Sequence, residues 1–315
     1  MQELRYNPLT GEWVIVSTAT QRRPVQPSNV ECPICPGGVE FPDEIYDLVS
    51  FENRYPSLLR NPPGVDFEER GPFRKERAFG VCEVVVYTSD HRSSLSRMPV
   101  SQIEKLVLMW IDRTREISKF EFVKYIFIFE NRGREVGASL PHPHGQIYAF
   151  SFVPKRIQVK IEAMRKWWEE RGKCPICEVI ESEEERVVYE NGSFVSMVPF
   201  YARFPFEVHI YPKRHVSTIL ELSGNEVKDL ADSLKVVTSK YDGLFNQEFP
   251  YMMMLFQAPL EGEHDHYFHF HIEFNPPKRS RDKLKWMASV ETGTWTFINP
   301  ILPEEAARML REVEV

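Results

Sequence analysis

Cysteine and histidine carry most of the reactive chemistry in this chain, and they are clustered. Four of the five cysteines form two Cys-Pro-Ile-Cys pairs, Cys32/Cys35 and Cys174/Cys177. Such a pair offers two thiolates from one tight turn, which is half of a tetrahedral zinc site. Histidines at matched positions supply the other half. His91 and His142 complete one set, Cys32, Cys35, His91 and His142. His215 and His269 complete a second, Cys174, Cys177, His215 and His269. Zn2+ is therefore the expected cofactor. A redox dithiol is the rival reading of either pair, but it needs a strand–helix setting that the flanking sequence lacks. Cys82 reads as a buried strand residue and His209 as a packed one. His264 and His266 lie in the acidic run EGEHDHY. That position fits either a solvated loop or a substitute ligand at the second site.

The run PHPHGQ adds a different chemistry. His-x-His on a strand places both imidazoles on one face, because side chains alternate with period two. If a metal holds His142, then His144 points the same way from a rigid support. An imidazole near neutral pH is a good nucleophile toward phosphorus once a hydrogen bond fixes which nitrogen is free. Gln146 shares the face and can donate to a phosphoryl oxygen without adding charge. The loop ENRGREVGAS, at 130–139, offers Arg132, Gly133, Gly137 and Ser139 for wrapping phosphates. The rival reading makes His144 a second metal ligand.

These residues need elements to position them, and the elements repeat. Each half runs CPIC, a strand leading to His91 or His215, a helix, a strand, then His-x-His. Ile103, Leu106, Val107, Trp110 and Ile111 fall at helical spacing in the first half. Val227, Leu230, Leu234 and Val237 do so in the second. Strands are expected at 124–130 and 250–256. The linker falls near 153–173, with a helix over 160–173 ending at Gly172, and a closing helix begins near Pro303. The proline-rich stretches at 24–36 and 56–63 read as loops. The class is α+β, a tandem duplication of two domains, 1–155 and 156–315, each an antiparallel sheet with packed helices.

Composition narrows the function. The 315 residues hold 39 Lys+Arg against 46 Asp+Glu, a net charge of −7. That balance argues against a nucleic-acid or membrane-surface binder. The spacing from CxxC to histidine is also far too long for a zinc finger. No apolar run approaches the length of a membrane span, and the opening residues lack a signal peptide's apolar core. A cytoplasmic protein acting on small molecules is expected.

At PHPHGQIYAF the chain resembles the active-site strand of the galactose-1-phosphate uridylyltransferases, a family in the histidine triad superfamily. RYNPLTGEWVIVS, the first CPIC, the Ser-Asp-His ending at His91, VPFYARFPFEVHIYPKRH and FHFHIEFNPP extend the resemblance nearly end to end. It implies a tandem histidine-triad fold, usually a homodimer. It also implies a ping-pong exchange of UMP between UDP-glucose and galactose 1-phosphate, through a uridylyl group on His144. Gln146 matches the glutamine that stabilises the adduct. Glu273, aligned with it in the second half, disqualifies His271 as a second nucleophile. Asn53, Asn131 and Ser139 match nucleotide- and phosphate-contacting positions, beside Gly137 of the phosphate-wrapping loop, and Lys285 and Glu291 match sugar contacts. Two features depart from the pattern. The family's structural iron site would use His269 and His271, but Gln257 and Lys160 stand where its other ligands belong, so zinc on Cys174 and Cys177 is preferred. The uridine-binding run reads Asn53-Arg54-Tyr55-Pro56, without the family's acidic residue. A related branch with paired CxxC motifs acts on ADP-glucose with phosphate as acceptor. ADP-sugar phosphorylase is thus the alternative enzyme, and a non-catalytic zinc-stabilised nucleotide binder is the alternative from another class.

Overall fold

The structure, a computed structural model, describes residues 2–22, 32–42, 45–65 and 70–315. Most of the proline-rich stretch at 24–36 lies outside them. The first half contains β1 (Gln2–Asn7), β2 (Glu12–Ser17), β3 (Val49–Glu52), β4 (Lys75–Arg77), β5 (Gly80–Val86), α1 (Val100–Ile117), β6 (Tyr125–Arg132) and β7 (His144–Phe150). Then come α2 (Lys155–Arg171), α3 (Pro175–Ser182), β8 (Val187–Glu190), β9 (Phe194–Met197), β10 (Val208–Pro212), α4 (Gly224–Leu244), β11 (Tyr251–Phe256) and β12 (His271–Asn275). β13 (Lys278–Ser280), β14 (Lys283–Leu284), α5 (Ser289–Thr294) and α6 (Pro303–Arg311) close the chain. Among the described residues no helix is long and apolar enough to cross a membrane.

The duplicated halves share one sheet. Nine strands run in the order β3-β5-β7-β6-β11-β12-β10-β9-β8, and each neighbouring pair is antiparallel. The order is mirrored about the β6–β11 junction, with β8 added at one edge. The register shows the symmetry residue by residue. Gln146 faces Phe129, Phe129 faces Met254, and Met254 faces Glu273. Directly opposed residues lie on one face of a sheet. Gln146 and Glu273 are therefore equivalent positions in a single row. β1, β2 and β4 form a separate small sheet.

The helices cover the sheet as the apolar spacing requires. Ile103, Leu106, Val107 and Trp110 of α1 and Val227, Leu230, Leu234 and Val237 of α4 are buried. They join Ile147, Ala149, Ile272 and Phe274 in one core. Each such side chain contributes about 1.5–3 kcal/mol by leaving water. A capping box, Ser223 with Glu226, starts α4. α2 packs on the opposite face through Ile157, Ile161 and Met164, against Phe127, Phe256 and Met254. It begins at Lys155, five residues before the expected start. Pro154, with its fixed φ, leads into it, and Ile157 starts the apolar stripe. It ends at Gly172, whose φ of 67° makes the left-handed C-cap.

Candidate active site and metal centres

Two four-residue clusters form where the duplication places them. Cys32, Cys35, His91 and His142 bring their ligand atoms within 4.8 Å of one another, as do Cys174, Cys177, His215 and His269. In the first, Cys35 Sγ lies 3.3 Å from Nδ1 of both His91 and His142, and Cys32 Sγ lies 3.7 Å from His142 Nδ1. In the second, Cys177 Sγ lies 3.4 Å from His215 Nδ1 and 3.5 Å from His269 Nδ1. Cys174 Sγ lies 3.7 Å from His269 Nδ1.

Backbone carbonyls set the tautomers. His142 Nε2–H donates to Thr88 O at 2.7 Å, His269 Nε2–H to Pro212 O at 2.9 Å, and His215 Nε2–H to Asp265 O at 2.6 Å. Each leaves Nδ1 unprotonated and aimed at the thiolates, the second-sphere arrangement that ligand histidines use. Burial lowers His142 to about 4, so its ring is neutral, as a ligand must be. The second pair opens α3, with Cys174 as its N-cap and Pro175 inside the first turn. It follows α2, so the strand half of a redox dithiol setting is absent. His264 and His266 stay outside the cluster. His264 bonds to Tyr267 and the Glu261 carbonyl, and His266 stacks on Trp168. Gln257 bonds to the backbone of Ile126 and Ile219, and Lys160 is ion-paired to Glu273. Neither joins a ligand set with His269.

In both halves the His-x-His pair straddles a strand end rather than lying within the strand. His142 and His269 precede β7 and β12, while His144 and His271 are the first strand residues. His144 Nδ1–H donates to His142 O at 2.7 Å, so the lone pair sits on Nε2. His144 lines a cavity of about 340 Å³ together with Ser94, Asn131, Arg132, Ala138, Glu248 and Pro250. Residues of both halves thus enclose it. Asn53 Nδ2–H donates to Gln146 Oε1 at 3.4 Å, and Asn53 itself is tied to Tyr55 N at 2.8 Å. That contact uses the oxygen of Gln146 and turns its NH2 away from Asn53. Gly133 and Gly137 take φ of 97° and 80° as the 130–139 loop turns back on itself.

Other predicted residues sit elsewhere. Gly137 and Ser139 belong to the loop but do not line this cavity, nor do Asn53 and Gln146. Lys285 and Glu291 ion-pair with each other, also outside its lining. Arg132 does line it, but its guanidinium is bidentate to Asp242 at 2.8 and 2.9 Å. Asp242 also accepts from Phe249 N and Ser96 Oγ. Arg132 therefore ties β6 to α4 instead of offering an uncommitted charge to phosphates. No motif in the sequence marks Asp242, which lies over one hundred residues away.

The second half holds the same geometry under a cover. His271 Nδ1–H donates to His269 O at 2.8 Å. Its Nε2 accepts from Lys160 Nζ of α2 at 2.7 Å. Burial, reinforced by the Lys160 charge, lowers His271 to about 3. Glu273 accepts from Lys160 at 2.5 Å, Arg156 at 2.7 Å and Arg203 at 2.6 Å. His209 is more than packed: it bridges Glu207 at 2.8 Å and Tyr211 at 2.6 Å. Glu207, His209 and Glu273 form a third cluster of possible ligands, but Arg203 reaches both carboxylates.

Comparison with known proteins follows the same division. Residues 1–154 match the family model described as galactose-1-phosphate uridyl transferase, N-terminal domain, and residues 173–314 match the corresponding C-terminal domain. A galactose-1-phosphate uridylyltransferase of Thermotoga maritima is 74% identical over 317 residues, covering 100% of this chain and 99% of the relative. A solved structure described as a uridylyltransferase superimposes with a TM-score of 0.90 at 38% identity, covering 99% of this chain and 98% of that one. A crystal structure of an ADP-glucose phosphorylase from Arabidopsis thaliana with bound ADP-glucose gives a TM-score of 0.79 at 31% identity, with full coverage of both chains.

Proposed function

This chain belongs to the galactose-1-phosphate uridylyltransferase family, and from that membership we propose that it transfers UMP between UDP-glucose and galactose 1-phosphate through a histidine adduct. The observation that carries the reading is His144. Its Nδ1–H is held by the carbonyl of His142, and the residue lines a cavity built from both halves. Nε2 attacks the α-phosphorus, an N–P bond forms, and the P–O bond to glucose 1-phosphate breaks. The imidazole keeps its Nδ1 proton on the His142 carbonyl and carries the positive charge that results. A phosphate oxygen of galactose 1-phosphate then attacks the same phosphorus, UDP-galactose departs, and Nε2 regains its lone pair. Gln146 donates to a non-bridging oxygen without bringing charge near the phosphate, and Asn53 holds its amide in the orientation for this. Asn131, at the cavity wall, is assigned to the phosphates. Gly137 and Ser139 of the same loop, and the sugar contacts Lys285 and Glu291, rest on the family resemblance.

Zinc fits both Cys/His clusters. Bonds of about 2.3 Å to sulfur and 2.0–2.1 Å to nitrogen give a sulfur–nitrogen edge of about 3.5 Å in a tetrahedron. Six sulfur–nitrogen edges across the two clusters run from 3.3 to 3.7 Å. Zinc at the first cluster would fix His142, and through its carbonyl the tautomer of His144. At the second it would tie α3 to the loops before α4 and β12. Its role in both is structural.

A homodimer is proposed as well. Trp286, Trp295, Ile298 and Leu302 are exposed in one stretch of the C-terminal part, and apolar surface of that kind marks interfaces. Light scattering at two loading concentrations checks it.

The adenylyl alternative rests on position 54. Arg54 pairs with Glu40 at 3.1 Å, so the base-reading run is tied to the segment following the first Cys pair. Incubation with UDP-glucose or ADP-glucose, without acceptor, separates the two. A uridylyl adduct supports the uridylyltransferase, an adenylyl adduct moves the chain to the phosphorylase reading, and no adduct with either supports the non-catalytic binder.

A further inference from the structure

Gly145 lies between His144 and Gln146, yet it does not take a positive φ. Its requirement is space. A Cβ at this position would overlap the hydroxyl of Tyr87 and come within 2.9 Å of the Phe129 carbonyl. The Tyr87 hydroxyl therefore rests against the strand backbone between the two residues assigned to chemistry, on the face that carries α1 and α4. Tyr87 is itself held firmly. Its N–H donates to Pro143 O at 3.1 Å, its carbonyl accepts from Gln102 at 3.0 Å, and its ring packs edge-on against Trp110.

Behind it stands Glu130, buried in β6 and part of the cavity wall. Tyr251 Oη–H donates to Glu130 Oε1 at 3.3 Å. Glu130 Oε2 and Tyr87 Oη are both buried, and the Tyr87 hydroxyl interacts with the Glu130 carboxyl. Burial raises the Glu130 carboxyl to about 7, opposed by Arg132, Tyr251 and Tyr87.

We propose that Tyr87, backed by Glu130, is a positioning residue that braces the backbone at Gly145 and so sets where His144 and Gln146 stand relative to the cavity. The inference rests on the transfer reading above and deepens it. It also accounts for the glycine in PHPHGQ by a contact on the reverse face of the sheet, not by phosphate access.

The test is a double-mutant cycle on the full-length, metal-loaded protein, using Gly145→Ala, Tyr87→Phe and the pair. Steady-state kcat and KM for UDP-glucose and galactose 1-phosphate are measured with thermal melting. Misplacing a reacting group by an ångström costs about 100-fold. Gly145→Ala is expected to lose about that in kcat with little change in KM, and Tyr87→Phe about 10-fold, with the melting temperature nearly kept. Removing the hydroxyl relieves the closest overlap and leaves the Phe129 carbonyl at 2.9 Å, so the double variant should regain several-fold over Gly145→Ala without reaching the Tyr87→Phe level. A double variant no better than Gly145→Ala, or a Tyr87→Phe protein with unchanged kcat, overturns the brace. If the unaltered protein transfers neither nucleotide, the functional reading fails instead. The contact is then judged by melting alone, where rescue of Gly145→Ala by Tyr87→Phe supports it and additivity refutes it.

Discussion

His144 and His271 occupy equivalent places in one sheet, each the first residue of its strand, each with Nδ1–H on the carbonyl two residues before. The duplication delivers the same tautomer twice. What differs is the surroundings. His144 lines a cavity, and neutral Gln146, two residues on, is bonded to Asn53 outside that lining. His271 is capped by Lys160, and Glu273 replaces the glutamine. The connecting helix α2 makes the difference, because its first turns lie over the second imidazole and carry Arg156 and Lys160 into the Glu273 cluster. The duplication repeats the tautomer while α2 and Glu273 change the charge around the second copy. On the transfer reading proposed above, only the first copy reacts.

Substitutions can break this comparison or sharpen it. His144→Asn should abolish transfer, by roughly 10⁴-fold or more, while the protein still folds. His271→Asn should leave kcat within about threefold. Steady-state assays with melting curves check both, and loss of folding in His144→Asn would make that residue structural. Gln146→Glu copies the second half into the first. A carboxylate about 4 Å from phosphate is opposed by about 4 kcal/mol at an effective dielectric near 20, so kcat should fall by up to about 10³-fold.

The two metal clusters should separate in the same way. Cys32→Ser should lower activity about 10- to 100-fold, as loss of ligand support does, whereas Cys174→Ser should lower the melting temperature and leave kcat nearly intact. Elemental analysis should give near two zinc ions per chain before substitution and near one after either.

Lys160→Met should have the smallest effect on turnover. It removes one of three cationic partners of Glu273 while Arg156 and Arg203 remain, and should destabilise the fold by about 1.5–3 kcal/mol, the worth of a hydrogen bond to a charged group. Burial alone would raise Glu273, but the charges facing it, Lys160 first and Arg156 among them, hold it well below the usual carboxylate range. Its stabilisation is thus present above the unfolded value of about 4.3 and lost as pH falls through the lower folded one. Without Lys160 the folded value rises, so acid unfolding should begin at higher pH.

Much of this was legible in the sequence. The two Cys/His quartets and the helical stripes of α1 and α4 follow from residue types at fixed intervals, and the proposed roles of His144 and Gln146 rest on the same kind of spacing. Local alternation and spacing encode these. The single sheet was not legible, since nothing local marks β6 as the strand that pairs with β11. The commitments of Arg132 to Asp242 and of Lys160 to Glu273 were equally hidden, because each joins residues over one hundred positions apart. Tyr87 left no signal beyond the glycine it demands. α2 was placed five residues late because its first turn is polar and charged, and burial of Ile157 only becomes evident in the packed structure.

The most direct test is the intact mass of the protein after incubation with UDP-glucose alone, followed by mapping of the modified peptide. One uridylyl group per chain on His144, with His271 unmodified, is the predicted result. An adduct on His271, or none at all, would contradict the assignment of the first half as the one catalytic copy.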